Sequence, residues 1–431
     1  MQPWQNWSGL VTATPQQTLA PADPGEVADA VTAARTHGMG VKMVGSGHSF
    51  TTIAATDGLL LRPDRLTGIT SVDQDAMTVT VLAGTTLHEL NASLHGLGLA
   101  LHNLGDIDRQ TIGGAVATGT HGTGGTRASL SAQVVGLEMV LADGSLVHTS
   151  AADDAELFSA ARVGLGALGI ITAVTVQVEP AFCLEAVEEP MRWDEAVLRY
   201  DELVAENDHV DMYWFPHTDQ VMTKRNNRTL DSPRPPSRFR AWVDDELLSN
   251  TVFGAMNRLG NRLPAGIPAL NRFSARVLSS RRYVDTSHRV FVSSRRVVFN
   301  EMEYAVPREA GMAALTEIRA LLDASRWRIG FPVEIRCAAA DDPWLSTAFG
   351  RESVYLAFHV NARTDHTAYF RAVEPVLRAH DGRPHWAKLH TRAAEDLASA
   401  YPRWADFARV RDRADPDRIF TNPYLTRVLG P

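Results

Sequence analysis

The run Val44-Gly45-Ser46-Gly47-His48-Ser49-Phe50 constrains this chain more than any other stretch. It follows a strand-like apolar segment, Val41 to Val44, and precedes a Thr56-Asp57-Gly58 turn and the apolar run Leu59-Leu60-Leu61. Glycines in such a turn let backbone N–H groups close on a diphosphate, because no Cβ stands in the way. Neither packing nor phosphate binding needs an imidazole at that place. His48 therefore suits a residue that must reach a ring system held by the turn. A tight strand-to-loop turn with an exposed histidine accounts for the heptad equally well.

A second small-residue segment, Ile112-Gly113-Gly114-Ala115-Val116-Ala117-Thr118-Gly119-Thr120-His121-Gly122-Thr123-Gly124, is too apolar in its middle for a flexible surface loop. Such a stretch can lie against a planar or anionic ligand, with backbone and threonine hydroxyls as donors. His121 taken alone is as readily a structural histidine as a ligand. Neither segment is a P-loop, since no Gly-Lys-Ser/Thr follows. Neither is a Gly-x-Gly-x-x-Gly fingerprint with an acid about 20 residues further on.

The surrounding pattern is mixed. Asp23-Pro24-Gly25-Glu26 opens a helix that continues through Val27, Ala30, Val31 and Ala34 and ends by Gly38. Met77 to Leu82 reads as a strand and Thr86 to Leu97 as an amphipathic helix. Val134 to Leu141 and Leu146 to His148 flank an Asp143-Gly144 hairpin signal, and Ile170 to Val178 alternates as a strand. Asn226 to Arg240 reads as a Pro-, Arg- and Ser-rich loop, and Arg272, Arg276, Arg281, Arg282, Arg289, Arg295 and Arg296 make the next stretch locally basic, most simply a solvated face. Strands resume at Arg296 to Ala305, Pro332 to Cys337 and Val354 to Val360, and the ending Asn422-Pro423-Tyr424-Leu425 reads as extended chain. A chain of 431 residues exceeds one ordinary core. The expected architecture is α+β, with residues 1–178 as one unit, 179–400 as a second with an antiparallel sheet, and 401–431 packing back on the first.

A formal net charge of -8 argues against a nucleic-acid partner. No apolar run of about 18 residues predicts a transmembrane helix, and Met1 to Trp7 lacks the regions of a signal peptide. Two distant cysteines, Cys183 and Cys337, make neither a disulfide framework nor a metal site, which suggests a reducing, cytoplasmic setting.

Strand alternation places Glu334 and Arg336 on one face, with Ile335 opposite. An arginine there stays charged and offers a planar fork of donors, suited to negative charge developing on a ring. Glu301 and Glu303 likewise share a face, with Tyr304 opposite. Two such acids repel, so burial is expected to raise one of their pKa values and make a proton acceptor. An exposed acidic strand edge accounts equally for Glu303. Lys388 alone reads as a surface lysine, and His359 and Asn361 alternate on a strand.

Taken in order, Val44 to Phe50, Asn103-Leu104-Gly105-Asp106, Ile112 to Gly124, Glu301-Met302-Glu303-Tyr304, Glu334-Ile335-Arg336 and Pro384-His385-Trp386-Ala387-Lys388 resemble the vanillyl-alcohol oxidase family of flavoproteins. The closer likeness is to its sugar-1,4-lactone oxidoreductases, with alditol oxidases as near relatives. The resemblance implies a two-domain flavoprotein with FAD on Val44, Gly45, Ser46, Gly47 and Ser49 and covalently bound through His48. It places Gly105, Asp106, Thr111, Gly114, Thr118, Gly119, Thr120 and His121 beside the cofactor. It gives Glu334 and Arg336 the substrate hydroxyls, sets Lys388 and Glu301 nearby, and leaves His359 and Asn361 as second-rank contacts. The implied reaction is oxidation of an aldono-1,4-lactone at C2, with dioxygen or an electron carrier as acceptor. Gly105, where some relatives carry alanine, favours dioxygen. An alditol oxidase is the alternative, weakened because Asp106 and Glu301 replace a serine and a glutamine. A flavin carrier without turnover is the reading from another class.

Overall fold

The computed structural model describes residues 3–237, 264–277, 280–293 and 297–431. Three parallel strands, Gln17–Leu19, Leu59–Leu61 and Val41–Met43, carry the chain into the glycine turn. The helix Pro24–Thr36 connects the first of them to Val41–Met43, and its Asp23 cap accepts from the Glu26 N–H. Beside them an antiparallel sheet runs in the order Leu146–Ser150, Val134–Val140, Ile170–Gln177, Thr78–Leu82, Ile69–Asp73. The Asp143-Gly144 hairpin and the helix Leu87–Gly96, closed by a Thr86/Glu89 capping box, stand where the sequence puts them.

The second sheet has eight antiparallel strands in the order Arg281–Thr286, Cys183–Arg192, Gln220–Thr229, His209–Trp214, Val333–Ala338, Ser353–Asn361, Phe299–Pro307, Arg383–Pro384. One face packs Met302, Tyr304, Ile335, Leu356 and Phe358 against the helices Arg308–Ala324 and Thr367–Ala379. The other carries Glu301, Glu303, Glu334, Arg336, Asp211 and His359. All six are buried, so this face meets protein rather than water. The fold is α+β, with antiparallel sheets dominant.

Two expectations are corrected. Asn226 to Thr229 belong to the Gln220–Thr229 strand, paired to Cys183–Ala186, and so are not loop. The rest of that loop beyond residue 237 lies outside the described residues, as do Arg295 and Arg296. Asn422-Pro423 does not lead extended chain: Asn422 caps the helix Pro423–Leu429, accepting from the Leu425 N–H with Pro423 in the first turn. Ile112 to Ala117 form a short helix with Ala115 and Val116 in the core, which is why that glycine-rich run is apolar. The basic stretch is partly neutralised, since Arg281 and Arg282 pair with Glu188 and Glu185 of the neighbouring strand. Among the described residues no helix is long and apolar enough to cross a membrane.

Candidate active site

Two cavities meet at His48. The outer groove, about 960 Å3, is lined by Val44 through Ser49, by Thr111, Gly114 and Thr118, and by apolar Met43, Leu165, Ile170 and Ile171. Its glycines are needed for space and shape. A Cβ on Gly45 would stand 2.1 Å from Thr111 Oγ1, and Gly47 has φ +69°. Among the described residues no carboxylate lines this groove, whereas Lys42 does. That donor set fits an anionic diphosphate, and the apolar walls fit aromatic rings.

The inner pocket, about 570 Å3, is lined by His48 again, with Gly105, Asp106, Thr120, His121, Glu301, Glu303, Arg336, His385 and Lys388, and an aromatic side of Trp7, Phe50 and Phe299. Burial and the Lys388 charge push His48 down to about 4, so its ring is neutral at physiological pH. Among the described residues no hydrogen bond engages either of its ring nitrogens.

Arg336 is the hub of one side. Its Nε donates to Asp211 Oδ1 at 3.0 Å, and its Nη2 lies 2.5 Å from Glu334 Oε1 and 3.2 Å from Asp106 Oδ1. Asp211 faces Arg336 directly across the antiparallel pair of strands. Burial raises the Asp211 pKa against the pull of the guanidinium.

The other side inverts an expectation. Glu301 and Glu303 are both buried, so the exposed-edge account of Glu303 is wrong. Yet neither pKa is raised. Burial works that way, but Lys388 and His359 outweigh it at Glu301, which falls to about 2, and His121 and Lys388 hold Glu303 well below the ordinary range. Lys388 is bonded to Glu301 and stands 3.9 Å from Glu303, with its side chain 19% exposed, so it is not a surface lysine. His121 Nε2 lies 3.1 Å from Glu303 Oε1 while its Nδ1 faces the Gly122 carbonyl at 2.9 Å. Each ring nitrogen thus faces an oxygen acceptor, which fixes the orientation of the imidazole. It also stacks on Tyr355 at 3.5 Å.

His121, Glu303 and His385 bring possible metal ligands within 4.8 Å of one another. His385, pushed down to about 3 by burial, is neutral, and its Nδ1 accepts the Ala387 N–H. Its hydrogen is therefore on Nε2, a tautomer suited to a hydrogen-bonded cluster rather than to a metal.

Glu334, Arg336, Glu301, Lys388, Asp106 and His121 thus converge. His359 stands behind, 3.4 Å from Glu301 and between Phe299 and Phe331. Asn361 ends the same strand, where its Oδ1 accepts the Arg363 N–H, and Gly119 turns against Val163. Neither lines the pocket. Sequence reasoning missed Asp211, His385 and the Asn6-Trp7 pair. Strand alternation opposite Arg336 offered the only signal for the first.

A glycine-lined groove opening onto a buried charged pocket, on this pair of sheets, defines a two-domain flavoenzyme. Residues 15–150 match the FAD binding domain, and residues 174–428 match the D-arabinono-1,4-lactone oxidase family. The chain is 41% identical to an L-gulono-1,4-lactone dehydrogenase of Mycobacterium tuberculosis over 428 residues, covering 99% of each. It is 33% identical to an L-gulonolactone oxidase of Bos taurus, covering 99% of this chain and 98% of that one. A solvent-stable cholesterol oxidase shares the fold, with a TM-score of 0.83 at 21% identity, over 98% of this chain and 96% of that one. The chain belongs to the D-arabinono-1,4-lactone oxidase family.

Proposed function

We propose that this protein oxidises an aldono-1,4-lactone of the L-gulono type at C2, giving the 2-keto lactone that tautomerises to ascorbate or an analogue. The observation that carries the reading is the junction at His48, where a glycine-lined groove with no carboxylate among the described residues opens onto a pocket walled by Arg336, Lys388 and Asp106. FAD, held by residues 44–49, Thr111, Gly114, Thr118, Thr120 and His121, would supply the two-electron acceptor. His48, neutral and without a hydrogen-bond partner among the described residues, is the side chain through which it is covalently attached.

The chain's own groups then have distinct tasks. Asp106, on the pocket wall, accepts hydrogen bonds from substrate hydroxyls; Glu334, which does not line the pocket, fixes the Arg336 guanidinium, and that guanidinium stabilises negative charge that develops beside it. Lys388, kept ionised by Glu301 and Glu303 despite its burial, adds a second cation at the pocket wall. Glu301 is too acidic to take a proton near neutral pH, so its part is to hold Lys388. Phe50, Phe299 and Trp7 exclude water from the reacting bond.

Anaerobic mixing of the purified protein with L-gulono-1,4-lactone, alongside xylitol, tests the reading through the visible absorbance of the oxidised flavin. Bleaching by the lactone alone supports it. Bleaching by xylitol alone makes the protein an alditol oxidase, and bleaching by neither sinks both. Readmitting dioxygen then asks whether the enzyme with Gly105, where a Cβ would stand 3.1 Å from the His121 carbonyl, is oxygen-reactive once reduced. His48→Ala should release all FAD on acid denaturation.

A further inference from the structure

The turn around His48 is held from outside by a segment some 40 residues earlier in the chain. The Trp7 N–H donates to the Gly47 carbonyl at 2.9 Å, and Asn6 Nδ2 donates to the Ser49 carbonyl at 2.9 Å. These are the carbonyls of the two residues flanking His48. Asn6 is buried and is itself fixed, because its Oδ1 accepts the Val11 N–H at 2.9 Å. The Trp7 ring lies 5.4 Å from the His48 ring, tilted by 31°, and is braced edge-on by Phe50 and Phe299. Pairing of Trp4–Gln5 with Thr12–Ala13 closes this segment into a small strap. Trp4 reaches the outer groove and Trp7 the inner pocket, so the strap spans the junction of the two cavities.

Such bracing has a chemical use. A glycine turn is soft, because its neighbours Gly45 and Gly47 lack the side chains that restrict φ and ψ. A nucleophile carried on it reaches its target only when the backbone on both sides is fixed, and misplacement by about 1 Å can cost about 100-fold in rate. We propose that Asn6 and Trp7 are positioning residues for His48, clamping both flanking carbonyls and one ring face so that an imidazole nitrogen meets the flavin 8α carbon. The proposal rests on the covalent attachment put forward above. Forming that bond removes one hydrogen from the 8α-methyl group and one from the imidazole. Both hydrogens, with two electrons, reduce the ring system, and dioxygen reoxidises it with release of hydrogen peroxide.

The test is the fraction of flavin fluorescence that stays with the acid-precipitated, full-length protein. Asn6→Asp keeps the acceptor for the Val11 N–H but sets a carboxylate against the Ser49 carbonyl, so the strap folds while one link is cut. Trp7→Ala removes the ring contact and Trp7→Phe restores an aromatic face. Gln5→Ala, which loses only an exposed bond to the Gly9 carbonyl, is the control. The expected result is at least a 5-fold lower covalent fraction, or rate of covalent incorporation, in Asn6→Asp and Trp7→Ala. Trp7→Phe should be mostly rescued and Gln5→Ala unchanged, with thermal midpoints close to wild type in all four. Covalent flavin at the wild-type rate and level in Asn6→Asp and Trp7→Ala overturns the clamp alone. Flavin released by the wild type itself overturns the attachment and the clamp with it.

Discussion

Replacing Lys388 by methionine isolates the electrostatics of the inner pocket, because methionine keeps much of the side chain's bulk and removes only the charge. The variant leaves Glu301 and Glu303 buried on one strand face, each with a single histidine partner, His359 and His121. At the 3.9 Å separation of Lys388 and Glu303, an effective dielectric of about 20 makes the lost attraction roughly 4 kcal/mol. Removing one member of a buried ion pair costs about 3–5 kcal/mol, since the survivor stays desolvated. An unfolding entropy of about 2.1 cal/mol/K per residue over 431 residues is about 0.9 kcal/mol/K, so the thermal midpoint should fall by roughly 3–6 °C. The pH dependence carries a sign. Glu301 has a depressed folded pKa, so its contribution is full above its unfolded pKa near 4.5 and fades as pH falls toward about 2. The variant has less depression to lose, and its deficit should shrink on acidification. Scanning calorimetry of the wild type, Lys388→Met, Glu301→Gln and the double variant measures this. Glu301→Gln should partly rescue Lys388→Met. A Lys388→Met midpoint within 1 °C of wild type, or strictly additive effects in the double variant, would refute the argument.

Three further outcomes are expected. Arg336→Ala should lower kcat/KM for the lactone by about 10²–10³, as for other lost anion-stabilising donors, and a fall of less than 10-fold would remove that role from Arg336. Asp211→Asn should keep near wild-type activity because the amide oxygen still accepts from Arg336 Nε. Asp211→Ala should lose about 10-fold in kcat/KM, the order of one charged hydrogen bond, and equal losses in both variants would refute a purely orienting role. Lys42, whose Nζ donates to the Gly166 and Phe420 carbonyls, is lowered from 10.5 to about 7 by burial. Between those values the unfolded chain binds the proton that the folded chain does not, so stability from this site rises as pH goes from 7 to 10.5. The urea midpoint of wild type relative to Lys42→Met should climb across that window, and a flat difference would contradict it.

The parts legible in the sequence are those whose logic is local. Strand alternation alone put Glu334 with Arg336 and Glu301 with Glu303, because a period of two survives any tertiary arrangement. The glycine turn announced its own shape, and Asp23-Pro24 and Asp143-Gly144 announced theirs. The sign of the Glu301 and Glu303 shifts was not legible. It depends on His121, His359 and Lys388, which arrive from three other places in the chain. Asp211, a lone acid in the strand His209–Trp214, acquires meaning only when that strand pairs with the one bearing Arg336. Asn422-Pro423 is a different case. An asparagine cap followed by proline in the first turn was there to be read as a helix start.

The turn bearing His48 is gathered from the whole length of the chain. Asn6 and Trp7 hold residues 47 and 49, Ala387 accepts the Phe50 N–H, and the Asn422 amide donates to the carbonyls of Thr52, Ile53 and Ala55. During translation at about 5–20 residues per second, the 374 positions from His48 to Asn422 take roughly 20–75 s to emerge. The nascent chain therefore presents its earliest motif long before that motif can be completed. A polypeptide broken off before residue 422 carries His48 but not its mould, so the attachment proposed above would be a late event. The tether would in this way mark finished molecules from abandoned ones, with no separate inspector.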